Sequence, residues 1–226
     1  MLVQMGMAVL VSLSFMAAAE EGQKVAQKKA DDADQGFVSL FNGKDLTGWK
    51  GDTKGYVVKD GAIVCDKGHD LFTEKEYSDF VFRFEFKLPP GGNSGLGIRA
   101  SGTGNAAYEG MELQILDDGH EMYHKPGEEI KDWQYHGSVY GIFPAKKGAL
   151  KPAGEWNVEE VTVHGPHIVV VLNGQTIVEC NLEEALKNGT LDGQEHPGAK
   201  RTGGFIGFLG HGDPVAFRNI SIKELK

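Results

Sequence analysis

Phe80-Val81-Phe82-Arg83-Phe84-Glu85-Phe86-Lys87 carries phenylalanine at every even position and, from Arg83 onward, a charged residue at every odd one. Side chains alternate between the two faces of a β-strand, so this segment predicts a strand with one buried face and one wet face. Outward from it, short β-branched and aromatic runs recur at 37–41, 56–59, 62–65, 94–100, 111–116, 138–143, 157–164, 167–172, 175–181, 204–209 and 216–223. Asn173-Gly174 separates two of these runs, and that dipeptide suits the type I′ turn of a tight hairpin. The 32 glycines are spread along the chain, as many tight turns require. Helical periodicity is confined to 181–189, where Asn181 can cap the start and Gly189 can end it. These features predict an all-β fold, a two-sheet antiparallel β-sandwich of the jelly-roll kind with one short helix.

The chain has 226 residues, enough for one domain with a substantial core. Its net charge of −9 gives no electrostatic support to a nucleic-acid partner. Residues 1–19 form an apolar run ending in Met16-Ala17-Ala18-Ala19, which predicts a cleaved signal peptide with Ala17 and Ala19 at the −3 and −1 positions. The run is short for a membrane span, so no stable membrane insertion is expected after cleavage. Residues 20–36 are polar and charged and predict a solvated linker, with the folded domain at 37–226. Cys65 and Cys180 are the only cysteines, and the sequence leaves open whether they pair. No CxxC or HExxH pattern points to zinc.

Alternation also sorts the polar residues by face. In 93–100, Leu96, Ile98 and Ala100 are expected on one side and Asn93, Gly95, Gly97 and Arg99 on the other, the two glycines leaving a shallow trough with Arg99 at its edge. In 111–116, Met111, Leu113 and Ile115 turn inward, while Glu112 and Gln114 emerge together and Asp117 follows the strand end. A carboxylate and an amide two residues apart can bind a pair of sugar hydroxyls or share a cation. If the two strands are neighbours, Arg99 and Glu112 become a charge pair in one trough. His136 and His211 sit at strand ends, where either could act as a general base or bond to a turn. His69 is undecided by its context. No Gly-x-Ser-x-Gly elbow or phosphate-binding glycine loop occurs.

An ordered series of short motifs then resembles one family. Phe37-Val38-Ser39-Leu40-Phe41-Asn42-Gly43-Lys44-Asp45-Leu46-Thr47-Gly48-Trp49 is similar to the opening of 3-keto-disaccharide hydrolase domains. Asp60-Gly61-Ala62-Ile63-Val64, Asn93-Ser94-Gly95 leading to Arg99, and Tyr108-Glu109 through Glu112, Gln114 and Asp117 follow in the same order. Gly154-Glu155-Trp156-Asn157, Leu172-Asn173-Gly174, and Gly210-His211-Gly212 leading to Phe217-Arg218-Asn219-Ile220 complete it. The resemblance implies a concanavalin-like jelly roll, bacterial export to the periplasm or beyond, and action on sugars whose C3 hydroxyl has been oxidised to a ketone. Such a ketone acidifies the C2 hydrogen, so a base can remove it, the C1 substituent can be expelled and water can add back. This chemistry needs a base and an electrophile near the ketone oxygen, rather than two opposed carboxylic acids.

On that basis the expected catalytic residues are Glu112, His136, His211 and Arg99, with Glu112 as base and Arg99 on the enolate oxygen. Asn93, Gln114, Asp117 and Tyr108 are expected to bind substrate. A divalent cation held by Glu112 and a histidine is an alternative electrophile. The competing expectations are a non-catalytic carbohydrate-binding module and a wall-facing structural protein; the first would bind glycans without turnover and the second would not bind them.

Overall fold

The computed structural model describes residues 35–226; the expected signal peptide and nearly all of the expected linker lie outside the described residues. Two antiparallel sheets account for most of the domain. The first, in spatial order, runs β11 (Gln175–Asn181), β10 (His167–Leu172), β9 (Asn157–His164), β6 (Phe80–Lys87), β13 (Ala216–Glu224), β4 (Ala62–Cys65) and β3 (Tyr56–Lys59). The short β1 (Val38–Ser39) also pairs with β13. The second sheet runs β2 (Trp49–Gly51), β5 (Asp70–Tyr77), β12 (Gly204–Gly210), β7 (Asn93–Ala100) and β8 (Met111–Leu116). The two-sheet antiparallel sandwich expected from the sequence is therefore what the chain forms.

The core is the set of inward faces. Phe80, Phe82, Phe84 and Phe86 are all buried, while the residues between them are half-buried. Phe208 of β12 stacks on Phe217 of β13 with ring centroids 3.7 Å apart and also touches Phe84, joining the two sheets. Removing one such ring, as in Phe84→Ala, leaves a cavity between sheets at a cost of about 3–5 kcal/mol. The hairpin turn follows its dipeptide: Asn173 and Gly174 have φ of 49° and 82°, both positive as type I′ requires. Cys65 and Cys180 are buried, unpaired thiols.

Four local expectations change. The run 138–143 forms no strand; Val139 instead bridges Leu113 and then Phe143 in a tight turn. Tyr140 N and Gln114 N extend that contact through bonds to Glu112 O and Ser138 O, so this segment covers the free edge of β8. The strands β2 and β5 were not apparent from alternation, because Glu74-Lys75-Glu76 interrupts the apolar pattern of β5 with exposed residues. A further short helix, α1 (Ala106–Glu109), is capped by Asn105, whose side chain accepts from Ala107 N. The expected helix shrinks to α2 (Leu182–Ala185), with Asn181 accepting from Glu183 N and Glu184 N as its cap. No helix among the described residues is long and apolar enough to cross a membrane.

Candidate active site

The outer face of the five-stranded sheet carries a cleft of about 480 Å³, within the size range of small-ligand sites. Register explains who meets there. Asp70 of β5 lies opposite Leu209 of β12, Leu209 opposite Gly95 of β7, and Gly95 opposite Gln114 of β8. Those four positions form one row across the sheet. In the row beside it, Phe72 faces Gly207, Gly207 faces Gly97, and Gly97 faces Glu112.

The two glycines do not leave an open trough for ligand, as alternation suggested. A Cβ on Gly95 would stand 2.1 Å from Glu112 Oε1, and one on Gly97 would stand 2.9 Å from Leu209 Cδ2. The bare backbone is covered by these two side chains, which lie down across it. Glu112 is thereby held against the sheet, buried, with Oε1 lacking any hydrogen-bond partner. Burial, with a smaller contribution from the Asp70 carboxylate, pushes its pKa up to about 8.

Asn93, Tyr108, Gln114 and His211 line the same cleft as Glu112, so five of the eight expected site residues converge. Gln114 Nε2 donates to Asn93 Oδ1 at 3.4 Å. His69 and Asp70 line it as well, beside His211, and are the residues that the sequence did not single out. Burial raises the Asp70 pKa against the opposing pull of His211 and His69. Tyr123 and Tyr140 add further aromatic wall. Tyr108 is braced from behind: its ring lies 4.8 Å from that of His196, which bonds Asp192 at 3.0 Å.

Three expected residues are elsewhere. Arg99 and Glu112 do not form a charge pair, although their strands are neighbours. Arg99 has φ of 52°, and the pairing of β7 with β12 shifts register between Phe205 and Gly207. This bulge ends the alternation, so Ala100 packs with Phe72 and Leu209 while Arg99 donates from Nη2 to Gly165 O in the β9–β10 turn. His136 is buried rather than in the cleft. It stacks on Phe86, accepts from Leu116 N at Nδ1 and donates from Nε2 to Glu159 Oε2 at 2.9 Å. Asp117 is spent on the backbone, accepting from Gly91 N at 2.8 Å.

Among the described residues no three His, Cys, Asp or Glu side chains are grouped to hold a metal ion. The alternative of a divalent cation held by Glu112 and one histidine finds no third such ligand grouped with them. What does assemble is a buried, elevated-pKa carboxylate facing a polar cleft, with imidazoles, an amide and phenols around it.

A family model described as 3-keto-alpha-glucoside-1,2-lyase-like domain matches residues 36–223. The chain belongs to that family. The 3-keto-alpha-glucoside-1,2-lyase-like domain spans both sheets and the whole cleft. A relative from Bacteroides thetaiotaomicron, named 3-keto-disaccharide hydrolase, is 29% identical over 234 positions, covering 86% of this chain and 80% of its own. A provisionally named glycosyl hydrolase from Parabacteroides distasonis has a solved structure at TM-score 0.74 and 31% identity, covering 87% of this chain and 97% of that one. A Bacillus subtilis protein of galectin-like fold matches at TM-score 0.52 and 12% identity, covering 79% and 90%, a likeness of fold alone.

Proposed function

We propose that this domain is an exported carbohydrate hydrolase that cleaves 3-keto-glycosides by elimination and hydration. The family's description and the hydrolase name of the Bacteroides relative support the substrate class. The observation that carries the reaction is Glu112: a buried carboxylate with an unpartnered oxygen at a cleft wall, its pKa raised to about 8. A base is most effective when its pKa lies near working pH, and burial tunes it there.

In this reading Glu112 takes the C2 proton, and the electron pair forms the enolate across C2 and C3. Collapse of the enolate expels the C1 oxygen, leaving a C1–C2 double bond conjugated with the ketone. His211 or His69 gives the leaving oxygen its proton. Water then adds at C1, giving its second proton back to the imidazole, and the protonated Glu112 returns its proton to C2, so the net change is hydrolysis. With Arg99 outside the cleft, donors to the ketone oxygen come from the Gln114 amide and the Tyr108 and Tyr140 hydroxyls. Asn93 orients sugar hydroxyls beside Gln114.

The test is aglycone release from a nitrophenyl 3-keto-glucoside. Wild-type protein is expected to release nitrophenol, and Glu112→Gln to bind the sugar without releasing it. Binding without turnover by the wild type would favour the carbohydrate-binding module instead. Export rests on the run 1–19 and is checked by N-terminal sequencing of the protein recovered outside the cytoplasm, which is expected to begin at Glu20.

A further inference from the structure

A second cavity, of about 470 Å³, shares no lining residue with the cleft. It opens beside the β9–β10 turn, where Arg99 forms part of its wall. Pro166, Leu182, Leu186 and Ala199 supply an apolar side. Lys200 and Arg201 bring two more cations, against the carboxylates of Asp79 and Glu183.

Arg99 is costly where it stands. It is only 4% exposed, yet its hydrogen bonding consists of one neutral acceptor, Gly165 O, and its Nε has no partner. Among the described residues no carboxylate pairs with it. Asp79, the acid whose field reaches it, uses Oδ1 to accept from Gly165 N at 2.7 Å. Arg201 is tied in by its Nε, which donates to Arg99 O at 2.9 Å. A buried cation without a counter-ion costs several kcal/mol, and a non-glycine residue in the left-handed region adds to that. Both costs coincide at one side chain on the wall of a cavity.

From this we infer that the Arg99 cavity is a binding site for a small organic carboxylate with a flat apolar body, distinct from the sugar cleft. The guanidinium supplies its charge and its remaining Nη N–H groups to a carboxylate, Arg201 and Lys200 add positive charge to the lining, and the leucine side covers the apolar part. A neutral sugar meets neither requirement.

The probe is benzoate, titrated calorimetrically at low ionic strength, with benzamide as its neutral isostere. Benzoate is expected to bind one to one and at least about tenfold more tightly than benzamide, the size of one charge-assisted pair. Arg99→Met should abolish that preference, and Leu186→Trp, which puts a larger side chain into the cavity lining, should abolish binding. Glu112→Gln should leave it unchanged. If Arg99→Met does not fold, Leu186→Trp and Glu112→Gln decide the matter by themselves. Benzoate binding no tighter than benzamide, or binding lost in Glu112→Gln but kept in Leu186→Trp, would overturn the inference. Neither result depends on whether the cleft cleaves 3-keto-glycosides.

Discussion

The carboxylate of Glu112 lies across the bare α-carbon of Gly95, so close that a Cβ at position 95 would stand 2.1 Å from Oε1. The relationship holds because Gly95 and Glu112 sit in adjacent rows of a paired β7–β8 ribbon, on the same face. It fixes a flexible side chain in a buried position that its own strand could not impose.

Gly95→Ala should therefore damage activity without unfolding the domain. The clash is with the far end of a flexible side chain, which can swing away. Displacing a reacting group by about 1 Å can cost roughly 100-fold in rate. The expected outcome is a kcat loss of about that size, with an unchanged circular dichroism spectrum and a small shift in Tm.

The raised pKa of Glu112 sets the sign of two pH dependences. As a base it works ionised, so kcat/KM should rise with pH up to about 8 and then level. Its stability effect runs the other way. From the ordinary glutamate value of 4.5 up to about 8 the folded state holds a proton that the unfolded state has released, so stability declines across that window. The decline is on the order of a few kcal/mol, and urea unfolding at pH 5 and pH 8.5 measures it. Stability rising over the same window would contradict the burial of Glu112.

His136 and Glu159 test the separation between core and cleft. Their side chains are 1% and 0% exposed, His136 Nε2 bonds Glu159 Oε2, and Glu159 Oε1 has no hydrogen-bond partner. Removing one member of a buried pair leaves the other uncompensated, at about 3–5 kcal/mol. His136→Ala should lower the urea midpoint by that equivalent while the pH limb set by Glu112 stays in place. A shift of that limb would put His136 back among the groups that touch the reaction.

What was legible in the sequence followed from strict local periodicity. The Phe80–Lys87 alternation, the Asn173-Gly174 turn and the shared face of Glu112 and Gln114 need only the chain's own neighbours. Arg99 was misplaced because a bulge depends on pairing: the shift at Phe205 and Gly207 in the next strand is invisible from β7 itself. Asp70 was missed for a related reason. It reaches Glu112 only through the cross-strand row that passes Leu209 and Gly95, and the charged residues 74–76 hid its strand. His136, just before the run 138–143, and His211, just after the run 204–209, both flank runs that look alike in sequence, yet one turns inward and is buried and the other lines the cleft.

The central claim is that Glu112 removes the proton at C2 of a 3-keto sugar. Proton NMR in heavy water follows that proton directly in a 3-keto-glucoside. Wild-type protein should wash out the C2 signal as the aglycone is released, and Glu112→Gln should slow the exchange by about 100- to 10,000-fold while still binding the sugar. Exchange at the wild-type rate in Glu112→Gln would contradict the account.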